Sequence, residues 1–158
     1  MARSSNASAY DEDFVAWLED QALRVRRGEV GDLDLENIAE ELEGMARSDR
    51  REIRNRLAIV VTHLLKCSAH SRRPSASWLG TIAEQRDGIV DLVEDSPSLR
   101  DYPAEILERC YPKARRNAAR QMRLPESTFP ETCPFGVEQI LDPHWLPPRR
   151  ERSSRETA

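Results

Sequence analysis

The chain has 158 residues, 33% of them charged and 39% hydrophobic, which is the size of one ordinary domain with one core. Its formal net charge of -4 excludes a surface built throughout to hold nucleic acid, because such binding neutralises phosphates with surplus Lys and Arg, and 6% aromatics leave few rings for stacking bases. No run approaches the roughly 20 apolar residues of a membrane span, and the polar start, Met1-Ala2-Arg3-Ser4-Ser5, lacks a signal core, so a cytoplasmic protein with no membrane partner is expected.

Residues 1–9 and 148–158 are polar and offer little to bury, so both are expected to be disordered tails around one helical domain, 10–147. Phe14, Trp17, Leu18, Ala22 and Val25 recur at the helical period after a Ser8/Asp11 pair spaced like a capping box, and Gly28 closes this first helix. Asp34 is placed to cap a second. Leu35, Ile38, Leu42, Met45, Ile53, Leu57, Val60, Val61 and Leu64 then keep one phase, so the segment 34–70 is one long helix or two that meet near Gly44 to Ser48. Its acids (Glu36, Glu40, Glu41, Glu43) precede its bases (Arg47, Arg50, Arg51, Arg54, Arg56), as the helix dipole prefers, which favours continuity.

Ser71-Arg72-Arg73-Pro74 breaks the pattern, and Ser75 caps a third helix carrying Trp78, Ile82, Ile89, Leu92 and Val93 up to Ser96-Pro97. A fourth starts near Pro103, a first-turn position where the missing backbone donor costs nothing, and carries Ile106, Leu107, Cys110, Tyr111, Ala114, Ala118 and Met122. Pro112 predicts a kink or break inside it. Leu124 to Pro134 holds three prolines and reads as a fixed crossing, followed by a short helix from about Pro134 to Leu141. No segment alternates with period two for long enough to be a strand. The expected fold is therefore all-α: a helical bundle of four main helices, the second long or kinked, plus a short C-terminal helix.

Several stretches carry a family resemblance: Tyr10-Asp11-Glu12-Asp13-Phe14-Val15-Ala16-Trp17, Leu33-Asp34-Leu35-Glu36-Asn37-Ile38-Ala39-Glu40-Glu41-Leu42-Glu43, His63-Leu64-Leu65-Lys66, Ser96-Pro97-Ser98-Leu99, Thr128-Phe129-Pro130-Glu131-Thr132-Cys133-Pro134-Phe135 and Leu141-Asp142-Pro143. In this order they resemble domain-of-unknown-function family twenty-nine, small bacterial proteins common in cyanobacteria. The resemblance covers about Tyr10 to Pro147 and implies a compact all-helical domain, with no established activity or catalytic residue to carry over. The chain departs from the family pattern at Cys67, where the family tends to place a tryptophan, and at Pro112.

The polar residues of that pattern, among them Asp13, Asn37, Glu40, Glu41, His63 and Lys66, are candidates for a carboxylate and histidine cluster, which would suit a metal or general acid/base site. The plainer alternative makes Asp11 and Asp34 caps and the glutamates a solvated stripe. His63, Cys67 and His70 fall at i, i+4 and i+7 on one helix face, a permissive spacing for zinc, yet the apolar surroundings suit a core histidine and a buried thiol, so no metal or other cofactor is expected. Arg56 and His63 resemble the Arg-x(4 to 6)-His motif of HEPN ribonucleases, where His moves a proton and Arg steadies phosphate charge.

Arg109, Lys113, Arg116, Arg120 and Arg123 form a basic stripe that either contacts phosphates or is a solvated or ion-paired face. Cys133, beside a helix start, is either an activated thiol or a packed one. The three cysteines, Cys67, Cys110 and Cys133, are odd in number, contain no Cys-x-x-Cys pair, and suit a reducing compartment. No constellation outweighs its structural alternative, so the expected function is a non-enzymatic protein-interaction or regulatory domain, with self-association as a dimer one form of it. The competing expectation is a hydrolase or ribonuclease, metal-dependent in one form, that uses Glu40, Glu41, His63 and Arg56.

Overall fold

The computed structural model describes residues 5–149. It is all-helical, with no strand among the described residues: α1 (Ser5–Glu12), α2 (Phe14–Arg27), α3 (Leu35–Ala69), α4 (Ala76–Asp95), α5 (Tyr102–Met122) and α6 (Val137–Leu141). Four long helices and a short C-terminal one are what the apolar period requires. The segment 34–70 resolves as a single helix of 35 residues. The chain divides into two compact units, with the boundary between Ser48 and Asp49 inside α3. No described helix is long and apolar enough to cross a membrane.

The first unit is a helical hairpin of α2 and the start of α3, preceded by α1. Residue 5 onwards is helical, so α1 extends into the stretch expected to be a tail; the remaining tail residues, 1–4 and 150–158, lie outside the described ones. The Ser8/Asp11 pair falls within α1, and the cap of α2 is Asp13, whose carboxylate accepts the Ala16 N–H at 3.0 Å. Asp13 takes this role because it stands in non-helical backbone directly before the apolar run, where its oxygen reaches an amide with no helical partner. Gly28 ends α2 with φ 72, a left-handed turn that glycine adopts without a Cβ clash. Asp34 caps α3 through the Asn37 N–H.

The second unit is a bundle around the C-terminal part of α3. Ile53, Leu57, Val60, Val61, Leu64 and Leu65 are fully buried there, against Ile82 and Ile89 of α4 and Ile106, Leu107, Tyr111, Ala114 and Ala118 of α5. Each large aliphatic side chain so buried contributes about 1.5–3 kcal/mol. Ser75 caps α4 through the Trp78 N–H, and Pro103 sits in the first turn of α5, as expected from sequence. Pro112 does not break α5, which runs unbroken to Met122. Pro112 and Glu108 are both exposed, so the Glu108 carbonyl loses its helical donor on a solvent-facing side of the helix, where the loss is tolerated.

The crossing after α5 is pinned to it: the Tyr111 hydroxyl donates to Pro130 O at 2.6 Å and Arg115 Nε to Phe129 O at 3.2 Å, while Phe129 and Phe135 are buried. Burial pushes the Tyr111 phenol up to about 12. The last helix starts at Val137, not Pro134, because Gly136 is its N-cap and the Gln139 side chain accepts the Gly136 N–H.

Candidate functional site

In the first unit, polar residues of the sequence motifs hold the two helices of the hairpin together. Trp17 Nε1 donates to Asp34 Oδ2 at 3.2 Å, Asn37 Nδ2 donates to the same oxygen at 2.8 Å, and the Asp34 N–H donates to Gln21 Oε1 at 2.8 Å. The Tyr10 hydroxyl donates to Glu41 Oε1, which raises the Tyr10 pKa because the phenolate would face a carboxylate. Trp17 is 3% exposed and meets the Tyr10 ring edge-on at 4.8 Å. Asp13, Asn37 and Glu41, candidate binding and catalytic residues in the sequence, are thus the cap of α2, a local partner of Asp34 at the start of α3, and the acceptor that ties α3 to Tyr10 of α1. Glu40 is exposed and bridges to Arg47 at 2.9 Å.

The apolar stripe of the hairpin is not core, contrary to what its period implies. Of the residues that set the helical phase of α2 and early α3, only Trp17 is buried; Leu18 is 40% exposed, Val25 57%, Leu42 63% and Met45 68%. Together with Ala22 and Ile38 they line a shallow groove of about 200 Å³ running between α2 and α3. At 1.5 Å per residue the fourteen residues of α2 are about 21 Å long, and two helices side by side span about 20 Å. The projected face of the hairpin, polar and apolar side chains together, is therefore of order 400 Å². Periodicity identified this face, but it does not say whether anything within the chain covers it.

Arg56, His63, Lys66 and His70 lie in the second unit, each with a partner of its own there. Arg56 donates to Glu52 Oε1 at 2.7 Å and to Gln85 Oε1 at 3.1 Å, lying over Gly88, where a Cβ would stand 2.5 Å from the guanidinium. Its partner in the HEPN-like spacing, His63, has Nδ1 2.9 Å from Ile59 O, one turn back. Lys66 is buried; its Nζ donates to Gln121 Oε1 at 2.9 Å and sits 4.3 Å from the Trp78 ring centroid, and burial lowers its pKa. His70 meets the edge of the same Trp78 ring and accepts the Arg72 N–H at 3.1 Å.

No group of His, Cys, Asp and Glu suited to a metal occurs among the described residues. Cys67, Cys110 and Cys133 are free thiols, each raised in pKa by burial, so Cys133 is a packed thiol and not an activated one. The basic stripe of α5 is exposed at Arg109, Lys113, Arg116, Arg120 and Arg123, and none of the five forms an ion pair among the described residues. Arg123 is the left-handed C-cap of α5, with φ 54.

The partial burial of His63 predicts a pH dependence of stability. Burial, followed by the nearby Lys66 charge, lowers its pKa from 6.5, while the Ile59 carbonyl opposes this. With the folded pKa below the unfolded one, the unfolded chain takes up the proton first as pH falls. Stability is then complete above about pH 6.5 and declines as pH drops through the folded pKa. Urea unfolding from about pH 8 to about pH 5 is expected to show this decline in the natural chain and less of it in His63→Gln; identical slopes in the two would refute the assignment.

A family model described as "Domain of unknown function DUF29" matches residues 9–146. The chain belongs to the DUF29 family. The DUF29 match spans both units, from the hairpin ties around Trp17 and Asp34 to the Trp145 segment that follows α6. DUF29 membership brings no activity with it. No curated protein and no solved structure matches the chain.

Proposed function

We propose that this protein is a non-enzymatic interaction domain that binds another protein through the exposed α2/α3 face of its N-terminal hairpin. The observation that supports it is the groove lined by Leu18, Val25, Leu42 and Met45, a contiguous apolar surface on a hairpin whose polar motif residues are already engaged in holding it together. Glu40, Glu41 and His63 are each occupied within their own unit, which favours binding over a Glu/His hydrolase or ribonuclease. The role needs no cofactor, and three free thiols suit a reducing, cytoplasmic setting. The α5 stripe, on a chain of net charge -4, supports at most an ancillary contact with nucleic acid.

A photoreactive benzophenone amino acid placed at Leu42 and irradiated in the producing cell tests it. A discrete higher-mass adduct is expected from that position and not from exposed Asp87 of α4. If position 42 yields no adduct, the interaction role fails.

A further inference from the structure

We propose, building on that interaction role, that the partner is a second copy of this chain, with α2 of one copy packed antiparallel against α2 of the other across a two-fold axis. A two-fold contact places the same patch on both sides, so the patch must complement itself in both shape and charge. The apolar part does so trivially, since Leu18, Val25 and the α3 residues Leu42 and Met45 meet their own kind. The charged edge does so through its spacing. Val15, Glu19, Ala22 and Arg26 fall at i, i+4, i+7 and i+11 along one exposed edge of α2. Glu19 and Arg26 form no ion pair among the described residues.

An axis passing close to Ala22 sets Glu19 of each copy against Arg26 of the other, twice over, and the small Ala22 side chain lets the two backbones approach at the crossing. The segments of this sequence outside the described residues do not suit the groove. Residues 150–158 read Arg-Glu-Arg-Ser-Ser-Arg-Glu-Thr-Ala and residues 1–4 Met-Ala-Arg-Ser, with too few apolar side chains to cover it.

Sedimentation equilibrium over a concentration series is expected to show a dimer for the natural chain. Leu42→Glu and Met45→Glu, both at exposed positions, should raise the dissociation constant at least about 100-fold with helix content unchanged. Glu19→Arg alone and Arg26→Glu alone should each weaken the dimer about tenfold, because each sets like charges together at two places. Mixed with one another they should pair again, since every Glu19 or Arg26 contact in the mixed dimer joins opposite charges; the double variant Glu19→Arg/Arg26→Glu should pair with itself.

Rescue on mixing is specific to two copies of this chain meeting in this register, and its absence would overturn the proposal. So would a natural chain that stays monomeric throughout. The mass of the benzophenone adduct separates the two ideas: twice the chain mass supports a second copy, and any other mass rejects it while leaving the interaction role intact.

Discussion

Arg86→Met is expected to destabilise the second unit by about 3–5 kcal/mol in urea unfolding, more than removal of any single surface charge. Arg86 is 3% exposed, and its guanidinium donates to three carbonyls: Nε to Ile140 O at 2.7 Å, and Nη2 to Trp145 O at 2.9 Å and to Gln139 O at 3.3 Å. Gln139 and Ile140 lie in the last turn of α6, whose carbonyls have no helical donors left, so an arginine from α4 does the work of a C-cap. Burial lowers the Arg86 pKa and the charge of Asp142 opposes this. Methionine keeps the apolar stem but leaves three acceptors, the buried Ile140 carbonyl and the part-buried Gln139 and Trp145 carbonyls, without this donor. Lysine keeps the charge yet presents no planar fork, so Arg86→Lys should recover only part of the loss. Hydrogen exchange should rise first in α6; a Met variant within about 1 kcal/mol of the natural chain would show that the carbonyls find other partners.

The second large effect belongs to the hairpin. Trp17→Ala removes the only buried aromatic of α2, the ring contacts with Tyr10 and Phe14, and the Nε1 bond to Asp34. Loss of a buried Trp side chain costs about 3–5 kcal/mol, and the hairpin has few other buried groups to absorb it. Amide protection in α2 and the first turns of α3 should collapse while that of α4 and α5 persists. Trp17→Phe, which keeps most of the packing and gives up the indole donor, should cost about 1 kcal/mol. Equal loss of protection in both units would mean that they unfold together and would contradict the division between Ser48 and Asp49.

Local chemistry was the most legible part of the sequence. Gly28, Asp34, Ser75 and Pro103 sit where their backbone preferences place them, because a cap is decided by neighbours within four residues. The Ser8/Asp11 pair had the right spacing for a box, but Asp13, nearer the apolar run, took the cap. Pro112 was legible as a lost hydrogen bond; that the loss falls on a solvated face, where it is tolerated, depends on tertiary position. The identity of the apolar face of α2 was legible too, and its exposure was not, since a period of 3.6 is the same whether the stripe meets a core or a partner.

The candidate site was harder to see for a related reason. Asn37, Glu41 and His63 stood out as polar residues in or beside apolar runs, where chemistry and structural hydrogen bonding leave the same trace. The signal that could have found the hairpin face was Ala22, Ala39 and Ala46, small residues interleaved with Leu18, Leu42 and Met45, all of them exposed. Arg86 gave no warning, because nothing in a run of Glu84-Gln85-Arg86-Asp87 marks one member as destined for the interior.

The raised thiol pKa values have a practical corollary. Alkylating and maleimide reagents attack thiolate, and at neutral pH the native cysteines offer almost none. A cysteine introduced at a solvent-facing position would therefore be the fastest-reacting sulfur in the molecule. A spin label or fluorophore can be installed on the hairpin without first stripping out Cys67, Cys110 or Cys133, and distances between labelled chains can be read on the otherwise natural sequence.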